Sequence, residues 1–220
     1  VDLSTTGSSG TANGALFQQI APQPTGTGYI DPFLRLQSQG VDLTAEGYNT
    51  SYRPFEFDEK NPLNYTHDLL LADVPVVTIN GLAYREFKLD INESSAGDDR
   101  YISLDRLQLF QSSQGYQTGY PALGSLRWDL DAGADRWIWL NYALNHGSGS
   151  GDMAVYIPNQ VFTNLQYVTL FSRFGDNYSV SAGFEEWYHG QATQQVPEPP
   201  SLVLFGFALL GAGVRLRARK

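Results

Sequence analysis

Between residues 83 and 91 polar and apolar side chains alternate: Phe87, Leu89 and Ile91 share one face, Tyr84, Glu86, Lys88 and Asp90 the other. A period of two belongs to a half-buried strand. The preceding stretch, 68–79, is apolar and β-branched with Pro75 inside it, which predicts a strand pair or a bulged strand. Asn80-Gly81 between the two runs is a hairpin signal. Further runs of this kind predict strands at 29–37, interrupted at Pro32, and at 101–110, 124–130, 136–144, 154–157, 166–174 and 184–188. The one helical expectation in the body is a turn or two after Pro158. Many short strands without a long 3.6-residue period predict an all-β fold, a β-sandwich or jelly-roll-like ectodomain over 29–190.

Either side of that body the composition shifts. Residues 1–28 open with Ser, Thr, Gly and Asn and read as a flexible arm, residues 4–14 alternatively as an irregular first strand. The aromatic-rich section 39–63 reads as a long loop pinned to the body by its rings. At the other end, 191–200 is a Pro-rich linker containing Pro197, Glu198 and Pro199, and 201–214 is uncharged and apolar. Arg215, Arg217, Arg219 and Lys220 close the chain as a basic tail over 215–220. Proline fixes φ, so the linker is an extended strut that keeps Glu198 exposed. Crossing a bilayer takes roughly 20 apolar residues, and snorkelling of Arg215 and Arg217 brings this run close to a hydrophobic transmembrane helix. The cationic tail would stay cytoplasmic, leaving the body outside the inner membrane.

These last residues resemble the PEP-CTERM sorting signal of Gram-negative bacteria, which joins a Pro-Glu-Pro motif, one hydrophobic helix and a basic tail. The resemblance covers 196–220 and implies that an exosortase, a membrane protease or transpeptidase, reads Pro197, Glu198 and Pro199. It implies too that the helix and tail are removed or act as a transient anchor. Pro200 stands where a small residue is more usual, and Leu216 and Ala218 interrupt the tail. Segments of the body, such as Phe87-Lys-Leu-Asp-Ile-Asn-Glu93 and Gly183-Phe-Glu-Glu-Trp187, resemble ectodomains of secreted PEP-CTERM proteins, a likeness that implies no activity.

Charge and cysteine content agree with export. The 220 residues carry a formal charge of −9, but four of the 14 basic residues sit in the tail, so the body is strongly acidic. Nucleic acid is excluded as a partner, because its phosphates demand a basic surface. With no cysteine there is no disulfide, thiolate nucleophile or cysteine metal site. No signal peptide is visible at residue 1, and we expect one to have been removed or to lie outside this stretch. Four Asn-x-Ser/Thr sequons begin at Asn49, Asn64, Asn92 and Asn177 and are compatible with glycosylation.

Catalytic signals are weak. His67, His146 and His189 lack metal-ligand spacing, and 147–151 has glycine where a nucleophile elbow needs serine. Thr25-Gly-Thr-Gly28 has no lysine after it and reads as a turn. Adjacent Glu185 and Glu186 would point to opposite strand faces, so they form no glycosidase pair. No cofactor is expected. Asp129, Asp131 and Asp135 are hard oxygen ligands of the kind calcium takes, although solvated loop acids are the commoner case. Trp137 and Trp139 share a strand face and could form a platform for sugar rings; burial between the sheets or under a loop is the alternative.

The sequence therefore predicts an exported, non-enzymatic cell-surface or matrix protein, sorted by an exosortase and neighboured by exopolysaccharide. Self-assembly into a homo-polymer, through the arm 1–14 or the freed C-terminus pairing with a neighbour's open edge strand, is one expectation. A carbohydrate-binding or carbohydrate-active module is the other.

Overall fold

Residues 1–20, 30–39, 42–60, 64–145, 151–181 and 183–190 are described by the structure, a computed structural model. The strands are β1 (Ser9–Ala12), β2 (Ala15–Gln19), β3 (Pro32–Leu36), β4 (Ala45–Tyr48), β5 (Leu69–Leu70), β6 (Val76–Ile79), β7 (Leu82–Ile91) and β8 (Tyr101–Ser112). They continue with β9 (Ser125–Asp129), β10 (Ile138–Asn141), β11 (Met153–Pro158), β12 (Tyr167–Phe174) and β13 (Glu185–Tyr188). The Asn80-Gly81 turn forms as expected: φ is 51° at Asn80 and 80° at Gly81, and Ile79 pairs with Leu82. Pro75 ends the preceding 3-10 turn (Leu71–Asp73), so 68–79 is two short strands around that turn. The helical turn after Pro158 is a 3-10 turn at Asn159–Val161.

Two antiparallel sheets result. One runs β1-β2-β11-β7-β13-β3 with β6 also on β7; the other runs β10-β8-β12-β4, with β9 on β8 and β5 on β12. Their inward side chains form one core: Phe87, Leu89, Ile91, Val155 and Trp187 from the first sheet meet Leu104, Leu107, Leu109, Leu170 and Phe174 from the second. Burying each of these stabilises by about 1.5–3 kcal/mol relative to exposure. Trp187 also ties the layers by donating from Nε1 to Ser172 Oγ at 3.0 Å. A smaller cluster of Tyr48, Phe110, Phe171, Phe57 and Tyr120 lies apart from this core. There Tyr120 stacks on Phe171 at 4.0 Å, and Phe57 packs edge-on against Tyr48, Tyr120 and Phe171, as the aromatic composition of 39–63 predicts; the stretch is not loop throughout, because β4 lies within it and pairs with β12.

One terminal expectation is overturned. The first twenty residues are not a flexible arm: β1 and β2 form a hairpin and β2 pairs with β11, so within 4–14 the alternative of a first strand holds. Leu3 is 1% exposed within the core, and 1–3 lie alongside β10 through Trp139 N–H to Val1 O (2.8 Å) and Leu3 N–H to Trp139 O (2.9 Å). Leu3, Ala15 and Phe17 supply enough apolar surface to fix a segment whose polar composition suggests freedom. The alternation in β7 also breaks at Asp90, which is buried and accepts a hydrogen bond from Gly151 N.

Val1–Gly190 forms one compact unit. The linker, the apolar run and the basic tail lie outside the described residues. Among the described residues no helix is long and apolar enough to cross a membrane.

Candidate functional site

Strand β10 turns Ile138 and Leu140 into the core, which leaves Trp137 and Trp139 half-buried on its other face. Its register against β8 sets Trp139 opposite Ser103 and Asn141 opposite Tyr101. The turn after β12 completes the cluster by carrying Tyr178 to the same place. That turn is held by two small polar side chains of β8. Asp105 accepts from Asp176 N (2.7 Å), Asn177 Nδ2 (2.7 Å) and Ser103 Oγ (2.7 Å), while Ser103 Oγ accepts from Tyr178 N (2.9 Å). Gly175 starts the turn at φ 100°, and a Cβ there would collide with Leu43 O, so glycine is required for this close approach.

The four rings form one assembly. Trp139 and Tyr178 are stacked, with centroids 5.0 Å apart and planes 16° from parallel; Tyr101 meets Trp139 at 5.2 Å and Trp137 meets Tyr178 at 5.6 Å. A cleft of about 600 Å³ opens beside them. Tyr101 and Tyr178 line it, and neither tryptophan does. The two tyrosines, and not the expected tryptophan pair, therefore border the cleft, with Trp139 and Trp137 packed against them. Arg100 braces one of these rings, with its guanidinium 4.8 Å from the Tyr101 centroid and Nη2 donating to the Tyr101 hydroxyl at 3.1 Å.

The cleft is acidic as well as aromatic. Asp42, Asp98 and Asp99 line it, all exposed, along with Ser181. Ser181 donates through both N (2.7 Å) and Oγ (2.5 Å) to Glu93 Oε2. Against Glu93 lies Glu185, fully buried on the inward face of β13. Both Glu185 oxygens are buried, and a bond between the two carboxyls requires a proton. Burial, reinforced by the Glu93 charge, pushes the Glu185 carboxyl well above the usual range.

Other candidates fall elsewhere. Glu186 points away from Glu185, as the strand period predicts, and pairs with Arg35 at 2.5 Å. Asp129 accepts from Gln108 Nε2 (2.8 Å) and Asp131 N (3.0 Å), and Asp131 accepts from Arg136 N (2.9 Å). These two aspartates therefore build the turn between β9 and β10, and Asp135 is exposed. Among the described residues no group of three or more His, Asp or Glu is arranged to hold a metal. His67 bonds to Asp68 O, His189 stacks on Phe33, and His146 lies outside the described residues. So do Pro197, Glu198, Pro199, Arg215, Arg217, Arg219 and Lys220. Of the sequons, Asn49 is buried at 1% exposure and bonded to Leu170 N, which closes it to modification in the folded body.

Sequence reasoning missed Tyr101, Tyr178, Ser103 and Asp105. Ser103 and Asp105 carry a faint signal, two small polar residues two apart within an apolar strand. Tyr178 carries none, because only the turn brings it to Trp139.

A family model of the PEP-CTERM protein-sorting motif matches residues 195–220. No curated protein and no solved structure matches the chain.

Proposed function

From the premise that this chain carries a PEP-CTERM sorting motif, and is thus exported with a transient membrane anchor before exosortase processing, we propose a role in the outer envelope or extracellular matrix. In this reading the body is a non-catalytic β-sandwich that engages exopolysaccharide. The observation that carries it is the pair of tyrosine rings lining a cleft and backed by tryptophans. Flat apolar rings with polar neighbours suit the C–H faces of pyranose units, and a stacked second layer fixes the first without the ordering cost a free ring would incur.

Self-assembly through the first residues finds less support, since 1–3 already pair with β10 of their own chain. A hydrolytic role also finds little. Glu185 is fully buried and Glu186 is tied to Arg35, so neither is free to act across the cleft.

Co-sedimentation of the body with exopolysaccharide purified from the producing cells tests the proposal. We expect binding by the parent protein, loss of binding in Tyr101→Ala and Tyr178→Ala, and no new reducing ends in the polymer. Unchanged binding in both variants would remove the basis of the reading.

A further inference from the structure

We infer that β6 is the seam of a two-fold homodimer, in which it pairs antiparallel with β6 of a second copy and one sheet runs through both. This is independent of the polysaccharide reading, since no residue of β6 lines the cleft. Strand β6 pairs with β7 and with no other strand among the described residues. The two-residue turn sets Ile79 against Leu82, and Glu86 N donates to Pro75 O at 3.1 Å. Bonding alternates along an antiparallel strand, so Pro75, Val77 and Ile79 turn their backbone groups to β7, while Val76 and Thr78 turn theirs outward.

Unpaired edge groups invite another strand, and folded proteins guard them with charges or a covering segment. This body does so at its other edges. Lys60 N bonds to Arg35 O (2.9 Å) and His67 N to Phe33 O (3.0 Å) along β3, Asp58 N bonds to Glu46 O (3.0 Å) on β4, and residues 1–3 lie along β10. Strand β9 carries Arg127 and Asp129, β5 is two residues long, and β1 has only small side chains around Gly10. Strand β6 has no such guard: no charge falls between Val74 and Tyr84, and Val76 and Leu82 are 51% and 62% exposed. Pro75 precedes the strand and leaves Val76 and Thr78 free to pair.

Two features select a second copy as the occupant. The edge is self-complementary: a two-fold axis at Val77 sets Val76 of each copy opposite Thr78 of the other, and each such pair exchanges both N–H···O bonds. Val77 then stands beside Val77 and Ile79 beside Pro75, so an apolar strip continues across the seam. The second feature is charge. Two copies of a strongly acidic body repel one another, and along this edge no carboxylate is brought opposite another. Each copy has one β6 edge, so association closes at the dimer and does not grow into a fibre. A strand this short gives an interface at the small end of the range, hence a concentration-dependent dimer.

Sedimentation equilibrium of the body, residues 1–190, between about 1 μM and 1 mM tests this. We expect the mass to rise from one copy toward two. Thr78→Pro removes one bond of each exchanged pair and keeps the ladder to β7, and Val76→Lys puts a charge on the edge; each should weaken the dimer by about tenfold or more. Leu126→Lys, at an exposed position on β9, should leave it unchanged. Val77 meets its counterpart at a non-hydrogen-bonded position, where Cα atoms are about 4.5 Å apart, within the span of a disulfide. The chain has no cysteine, so Val77→Cys should form covalent dimers under copper-catalysed air oxidation, and Leu126→Cys should not. Thermal melts identify any variant that has lost its fold, and the cross-link reads the register without weakening the edge. A parent that stays monomeric up to about 1 mM leaves the edge to a strand of another protein and overturns the proposal. So does a dimer that survives both edge variants, or one in which Val77→Cys fails to cross-link, because either puts the contact on another surface.

Discussion

Tyr178 lies parallel to Trp139 with ring centroids 5.0 Å apart, although the two residues come from different segments and are 39 positions apart in the chain. Tyr178 borders the cleft and Trp139 does not, so on the proposed polysaccharide reading their mutational effects separate. Tyr178→Ala should cost about 1 kcal/mol of stability, the order of one aromatic pair at a partly exposed site, and abolish polysaccharide binding. Trp139→Ala removes the contact with both tyrosines and should cost about 2–3 kcal/mol. Urea unfolding with a binding assay on each variant checks both; equal destabilisation by the two would contradict the layered arrangement.

Asp105 positions the same ring from a distance. Replacing it by Ala leaves Asp176 N and Asn177 Nδ2 without their acceptor, at a cost of about 2–3 kcal/mol for partly buried donors. The turn then releases Tyr178, so binding should weaken even where the body stays folded. Hydrogen exchange at Asp176 and Tyr178 amides should rise in Asp105→Ala and stay near the parent value in a Tyr101→Ala control.

Stability should depend on pH in a direction set by the buried carboxyl. Burial and the Glu93 charge raise Glu185 above its ordinary value, so the folded state binds the proton more tightly than the unfolded state. Its contribution is fully present below the ordinary glutamate range and is lost as pH rises toward the folded value. Glu185→Gln cannot ionise and should flatten that decline, seen as a melting temperature less sensitive to pH above about 5. Glu56 acts oppositely. Burial opposes the shift, but hydrogen bonds from Thr118 Oγ1, Tyr48 and the Gly119 and Tyr120 amides outweigh it and hold the carboxyl at about 2. Its stabilisation is therefore present above its ordinary value of 4.5 and lost as pH falls toward 2. Glu56→Gln should blunt the acid limb alone.

Leu3 tests the anchoring of the first residues. Truncation of a side chain only 1% exposed should cost about 2–3 kcal/mol in Leu3→Ala and unprotect the Trp139 amide, which donates to Val1 O. A loss below about 0.5 kcal/mol, the scale of an ordinary surface change, would mean that the segment contributes nothing to the fold.

Strand existence was legible wherever period two or β-branched runs coincided with a turn residue, as at Asn80-Gly81 and in 166–174. The two-sheet division followed from many short strands alone. Strand partners did not, because β2 with β11 and β13 with β3 are pairings distant in sequence. The first twenty residues misled through composition: the buried apolar side chains of Leu3, Ala12, Ala15 and Phe17 outweigh their Ser, Thr, Gly and Asn neighbours. At the site, Trp137 and Trp139 were visible as a same-face pair, but which layer of rings reaches the cleft depends on Tyr178, and that residue arrives by a turn whose geometry is fixed by Asp105, Ser103 and Gly175. The sorting motif was legible in full, since it is a linear signal read by another protein and needs no tertiary context.

The account rests on export followed by removal of the C-terminal segment, which leaves the acidic sandwich as the working molecule. Intact-mass determination of the C-terminal residue of protein recovered from the surface or medium of the producing cells tests this most directly. Processing predicts a terminus within 196–199. Released protein that still ends in Lys220 would contradict it.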